Sequence, residues 1–109
     1  MRKVAIPLVN GKLGRDLDRC TQCMIFEIEG KDIRGAMIRI PPHQRRKNLP
    51  EWALKQGITD MVANRASQEL IRKLTSKKVH CFVGIHIESP EKIMEKFLNG
   101  HLKPDSDEF

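Results

Sequence analysis

The chain has 109 residues, 39% hydrophobic and 31% charged, with 20 basic against 14 acidic side chains for a net charge of +6. That size and balance describe one globular domain with a single modest core, and they exclude a two-core protein. No apolar run approaches the roughly 20 residues that cross a bilayer, and three cysteines, an odd number, argue against a disulfide framework.

The N-terminus, Met1 to Ile6, runs directly into a strand pattern. It lacks the apolar stretch and small-residue cleavage site of a secretory signal, so a cytoplasmic address is expected. Residues 3–9 are apolar on both faces after Lys3, as in a strand covered above and below, although Pro7 cannot donate to a ladder. Asn10-Gly11 and Gly14 then open a loop that reaches Arg19. From Cys23 to Glu29 the chain alternates, with Met24, Phe26 and Ile28 on one side and Ile25, Glu27 and Glu29 on the other. Gly30-Lys31 is a turn into a third strand, 32–40, which Pro41-Pro42 ends.

The basic loop 43–48 follows, with Asn48 as the expected cap of a short helix, 49–56, and Gly57 as its stop. Residues 58–63 read as a strand. Ala66, Leu70, Ile71 and Leu74 share one helical face, predicting a helix over 66–76. A last strand occupies 79–85. Ser89-Pro90 then starts a helix whose buried stripe is Ile93, Met94, Phe97 and Leu98. The domain is expected over 1–102, with a polar tail at 103–109.

The order β-β-β-α-β-α-β-α implies an antiparallel hairpin beside right-handed parallel crossovers, hence an α/β fold with a mixed five-stranded sheet between helices. Loops 10–22 and 41–48 and turns 64–67 and 84–89 then meet at one edge, outside the carboxyl ends of the strands, where open sheets bind ligands. Cys20, Cys23, His43, Asn64, Arg65, Ser67 and His86 fall there, and His80 falls at the opposite end. Backbone N–H groups of Ala66, Ser67 and Gln68 would open a helix and could receive an anion, helped by Arg65 and residues 45–47.

The spacing Cys20-Thr21-Gln22-Cys23 allows two sulfurs to reach one soft metal. Four ligands complete a tetrahedral zinc site, and a second such pair is missing, so His43, His86, a carboxylate such as Asp16 or a second subunit would have to contribute. The competing reading is two small apolar residues at a strand start. Asp16 and Asp18 could hold a hard cation, a weak signal in a loop. Cys81, mid-strand, reads as core. One Trp, four Phe and no Tyr give no stacking platform for single strands, which disfavours nucleic acid as a partner. The first strand carries no inward carboxylates for a two-metal nuclease, and no triad, phosphate loop or dinucleotide fingerprint is present, so no enzymatic activity is expected.

Val4-Ala5-Ile6-Pro7-Leu8, Arg19-Cys20 leading to Phe26-Glu27-Ile28-Glu29-Gly30, Leu49-Pro50-Glu51-Trp52, and Phe97-Leu98-Asn99-Gly100 occur in an order and spacing that resemble the dinitrogenase iron–molybdenum cofactor biosynthesis family. The resemblance covers about residues 2–102. It implies a ribonuclease-H-like three-layer α/β/α fold and a carrier of a metal–sulfur cluster, of the iron–molybdenum or iron–sulfur type. The metal ligands would be Cys20, Cys23 and His43, with Arg19, Asn64, Arg65, Ser67 and His86 around the cluster. Three departures bear on that role. The family's His-Phe-Gly triplet before Arg-Cys is here Asp16-Leu17-Asp18, its glycine-rich turn is Asn64-Arg65-Ala66-Ser67, and Cys23 occupies a position that is commonly aromatic. Either the site is rebuilt around two cysteines or this member has lost its cluster. The expected partners are a metallocluster, cluster-assembly proteins and a second copy of the chain. The alternative is a non-enzymatic interaction module meeting a protein or nucleic acid through its basic loops.

Overall fold

A computed structural model describes residues 1–43 and 45–102. The expected tail 103–109 and the side chains of Arg45 and Arg46 lie outside the described residues. Strand β1 (Arg2–Val9) is followed by β2 (Lys12–Leu13), a 3-10 turn (Leu17–Arg19), β3 (Gln22–Glu29) and β4 (Asp32–Arg39). Helix α1 (Arg45–Gln56), β5 (Asp60–Val62), α2 (Gln68–Ser76), β6 (His80–Phe82) and α3 (Pro90–Leu98) complete the order. The sheet runs β4-β3-β1-β5-β6, with β2 added on β1. β3 is antiparallel to β1 and β4, and β5 is parallel to β1 and β6, which is the mixed arrangement the sequence implies.

Six strands form where five were expected. Asn10 and Gly11 both have positive φ, 54° and 79°, a two-residue turn whose twist suits a hairpin. It sets Leu8 opposite Leu13 and Val9 opposite Lys12. The same hairpin accommodates Pro7 within β1. The Pro7 carbonyl accepts from the Gly14 N–H at 3.0 Å, so its missing donor faces the β2 side as well. On that side β5 pairs only with Val4 and Ala5 while β2 begins at Leu8. Pro7 therefore sits in the gap between two partners, where no ladder bond is lost.

Two helix starts differ from expectation. α1 begins at Arg45, a turn before Asn48, and contains Pro50; the proline forfeits only the bond to the carbonyl at 46, near the helix start. α2 begins at Gln68 because Ser67 is extended and its Oγ accepts from the Leu70 N–H at 3.2 Å, so Ala66 and Ser67 precede the helix. Ser89 caps α3 as expected, with Pro90 in its first turn.

β1 divides the core. Ala5 joins Ile25, Met61, Leu49, Ala53, Leu70 and Leu74 beneath α1 and α2. Val4, Ile6 and Leu8 join Phe26, Ile28, Val62, Ile93 and Met94 beneath α3. Helices thus cover both faces.

Asp60 is the buried charged side chain among the described residues. Arg2 grips it with two bonds, Nη2 to Oδ2 at 2.7 Å and Nε to Oδ1 at 3.3 Å, and Thr59 Oγ1 donates to Oδ1 at 2.6 Å. The guanidinium also lies over the Phe97 ring at 4.8 Å, so one side chain clips β1, β5 and α3 together. Asp60→Ala should cost about 1–3 kcal/mol, at the lower end because the Arg2 side chain is 55% exposed and water takes up its lost partner. The shift in the urea midpoint measures it.

Candidate functional site

The segment after β2 is tied to the turn after β5 by backbone. Arg65 N–H donates to the Arg15 carbonyl at 3.0 Å, and Leu17 N–H donates to the Arg65 carbonyl at 2.8 Å. This parallel bridge of Asp16 with Arg65, anchored by Leu17 in the core, holds two loops in one relative position. Between them lies a cavity of about 360 Å³ lined by Asp16, Asp18, Arg19, Arg65, Ala66 and Ser67. Its volume lies within the range of small-molecule sites, though its lining is more polar than usual. Two carboxylates and two guanidinium groups balance in formal charge, and the first turn of α2 adds the positive end of a helix dipole. The Asp18 Oδ1 atom is buried.

Of the eight residues expected to act, Arg19, Arg65 and Ser67 meet in this cavity. Asn64 serves the frame instead: its Nδ2 donates to the Ile85 carbonyl at 2.7 Å, locking the two turns that follow β5 and β6. His86 and His43 are exposed, and neither lines the cavity. Asp16 and Asp18, a weak signal in the sequence, do line it. What could have pointed to them is their position beside Leu17, whose apolar side chain in a polar loop marks an anchored segment.

The thiol pair departs from expectation. Cys20 and Cys23 are 1% and 2% exposed and pack with Leu17, Ile25, Leu49 and Ala53 under α1. They lie below the rim rather than on it. Thr21 holds them there, since its N–H and Oγ1 both donate to the Leu8 carbonyl and bring the chain against β1 before β3 begins. Cys23 pairs in register with Pro7 and Arg39 and shares the inward side of Ile25. Burial pushes its thiol far above the ordinary range, and the neighbouring Cys20 sulfur raises it further. Both effects oppose the thiolate that a metal needs. No disulfide joins any of the three cysteines. Among the described residues no group of three His, Cys, Asp or Glu side chains is placed to hold a metal ion.

No protein-family model and no curated protein matches the sequence. Solved structures do. The crystal structure of PH0822 shares 20% identity over 96% of each chain, with a TM-score of 0.88. The Methanocaldococcus jannaschii protein MJ0327, provisionally named a dinitrogenase, shares 20% identity over 95% of this chain and 94% of its own, with a TM-score of 0.75. A Thermotoga protein, TM1290, provisionally named a NifB protein, shares 15% identity over 95% and 93%, with a TM-score of 0.74. At these identities the likeness shows a shared fold.

Proposed function

We propose that the chain is a non-enzymatic, nitrogenase-related accessory protein that carries an anionic metal–sulfur cluster as cargo in the cavity between Asp16 and Ser67. The observation that carries this reading is the fixed, charge-balanced lining of that cavity. A metal–sulfide fragment presents both kinds of charge. Its metal would find the Asp16 and Asp18 carboxylates, harder ligands than such a cluster prefers, so the hold rests on charge rather than on ligation. Its sulfides would meet the guanidinium groups of Arg19 and Arg65. The buried cysteines take no part in this arrangement. The nitrogenase-related element draws on the shared fold with MJ0327 and TM1290 and on the names those proteins carry.

The test is anaerobic incubation with ferrous iron, sulfide and molybdate, followed by desalting and elemental analysis. The wild-type protein should retain metal and sulfide together, and Arg19→Ala with Arg65→Ala should weaken retention about tenfold or more, the effect of losing charge-assisted hydrogen bonds. Cys23→Ala should retain cargo wherever circular dichroism shows it folded. Absence of metal from the wild type would overturn the reading, as would retention lost in the cysteine variant and kept in the arginine one.

A further inference from the structure

Among the described strands the sheet ends in β6, three residues long, and in β4, bonded to β3 on one side. Solitary edge strands are usually blunted by charged residues, Pro, bulges or short length. β4 carries three charged residues and a bulge, yet it runs for eight residues without Lys or Pro. Its outer face is apolar: Ile33 is 46% and Ile38 48% exposed, with Ala36 exposed between them and Met24 of β3 half-buried alongside. α3 covers the part of this face over Ile28, Phe26 and Val62 and leaves the β4 strip bare.

We propose that β4 pairs antiparallel with β4 of a second copy, about a two-fold axis through Ala36, to make one continuous sheet. The register follows from which side each residue takes. Ile33, Ala36 and Ile38 oppose Ile28, Phe26 and Met24, all on the α3 face. Met37 and Arg39 oppose Ile25 and Cys23, on the other face. A bulge between Ile33 and Gly35 leaves Arg34 outside the ladder, and this extra residue brings the two ends of β4 into phase. With Ala36 opposite Ala36 of the second copy, Gly35 meets Met37, Ile33 meets Ile38, and Asp32 meets Arg39, each twice by symmetry. The apolar strips then run side by side on one face, and both ends gain an ion pair.

The charges favour a second copy over an unrelated strand. Asp32 stands opposite Glu29 within its own sheet, a like-charge pair that is unfavourable alone. Arg39 stands opposite Cys23, and its Nη1 reaches the Ile38 carbonyl at 3.4 Å. Among the described residues neither Asp32 nor Arg39 has an opposite charge within 4.0 Å. The two-fold supplies each with the other. An eight-residue edge is a small interface, so a dissociation constant of roughly micromolar order is expected.

Sedimentation velocity over a micromolar concentration series tests this. The wild type should pass from monomer to dimer. Asp32→Arg alone and Arg39→Asp alone, which place like charges in register, should each weaken dimerisation about tenfold or more. The double swap, Asp32→Arg with Arg39→Asp, should restore it. Both positions are exposed, so the variants should fold, and circular dichroism checks that they do. A wild type that stays monomeric throughout, leaving the edge to solvent or another protein, would overturn the proposal. So would a double swap as weak as the single ones.

Discussion

Cys20 and Cys23 should react with an alkylating reagent in the native protein about 10³-fold or more slowly than in the unfolded chain. A sulfur sealed in the core is reached only when the structure opens, and opening of a stable core region is that rare. Burial also holds both the proton and the reagent problem in the same direction, because the thiolate is the reactive form and the Cys23 thiol is raised by desolvation first and by Cys20 second. Cys81 is half-buried, and burial pushes its thiol up to about 11 against a Thr75 hydrogen bond that lowers it. At pH 8 roughly 0.1% of it is thiolate, so it should label first but slowly, with a rate rising about tenfold per pH unit toward 11. The same shifts give an alkaline stability slope. The folded state holds these protons more tightly than the unfolded chain, whose thiols titrate near 9.0. Their contribution is complete below that pH and is lost as pH rises toward 11 and beyond. Mass-resolved alkylation decides the matter: rapid native labelling of Cys20 and Cys23 would return the pair to the rim and reopen thiolate ligation of the cargo.

Leu70→Ala should lower stability by about 2–5 kcal/mol and the melting temperature by roughly 10–20 °C. Leu70 is fully buried in the first turn of α2, and its side chain fills the core shared by α1, α2 and the sheet. Its own N–H is the one that Ser67 Oγ caps. Removing the side chain therefore leaves a void under the segment that carries Arg65, Ala66 and Ser67, so cargo retention should fall together with stability. Leu54→Ala is the control, since Leu54 is 53% exposed on α1 and should change stability by about 0.5 kcal/mol or less. Calorimetry of the two variants separates them; a loss below about 1 kcal/mol for Leu70→Ala would mean that the core relaxes around the gap.

What the sequence determined by itself was order and direction. Alternation from Cys23 to Glu29, the Ser89-Pro90 start and the helical spacing of Leu70 and Leu74 are local signals, because side-chain periodicity and capping act within a few residues. They sufficed to place the mixed sheet and to bring Arg65 and Ser67 to one edge, while Arg19 came in through the family resemblance. The Asn10-Gly11 hairpin is equally local, but its two-residue strand gives almost no alternation to mark it.

Tertiary structure decided which face of each chemical residue meets water. The depth of Cys20 is set by Thr21 bonding to Leu8, thirteen residues away, and by α1 closing over the sheet. Spacing between two cysteines carries no record of either. Asp16 and Asp18 became a cavity wall only when the Arg65 backbone fixed their loop, and Asn64 became a strut only when Ile85 came within its reach. Such contacts join segments distant along the chain, and burial depends on them rather than on any residue's own neighbours.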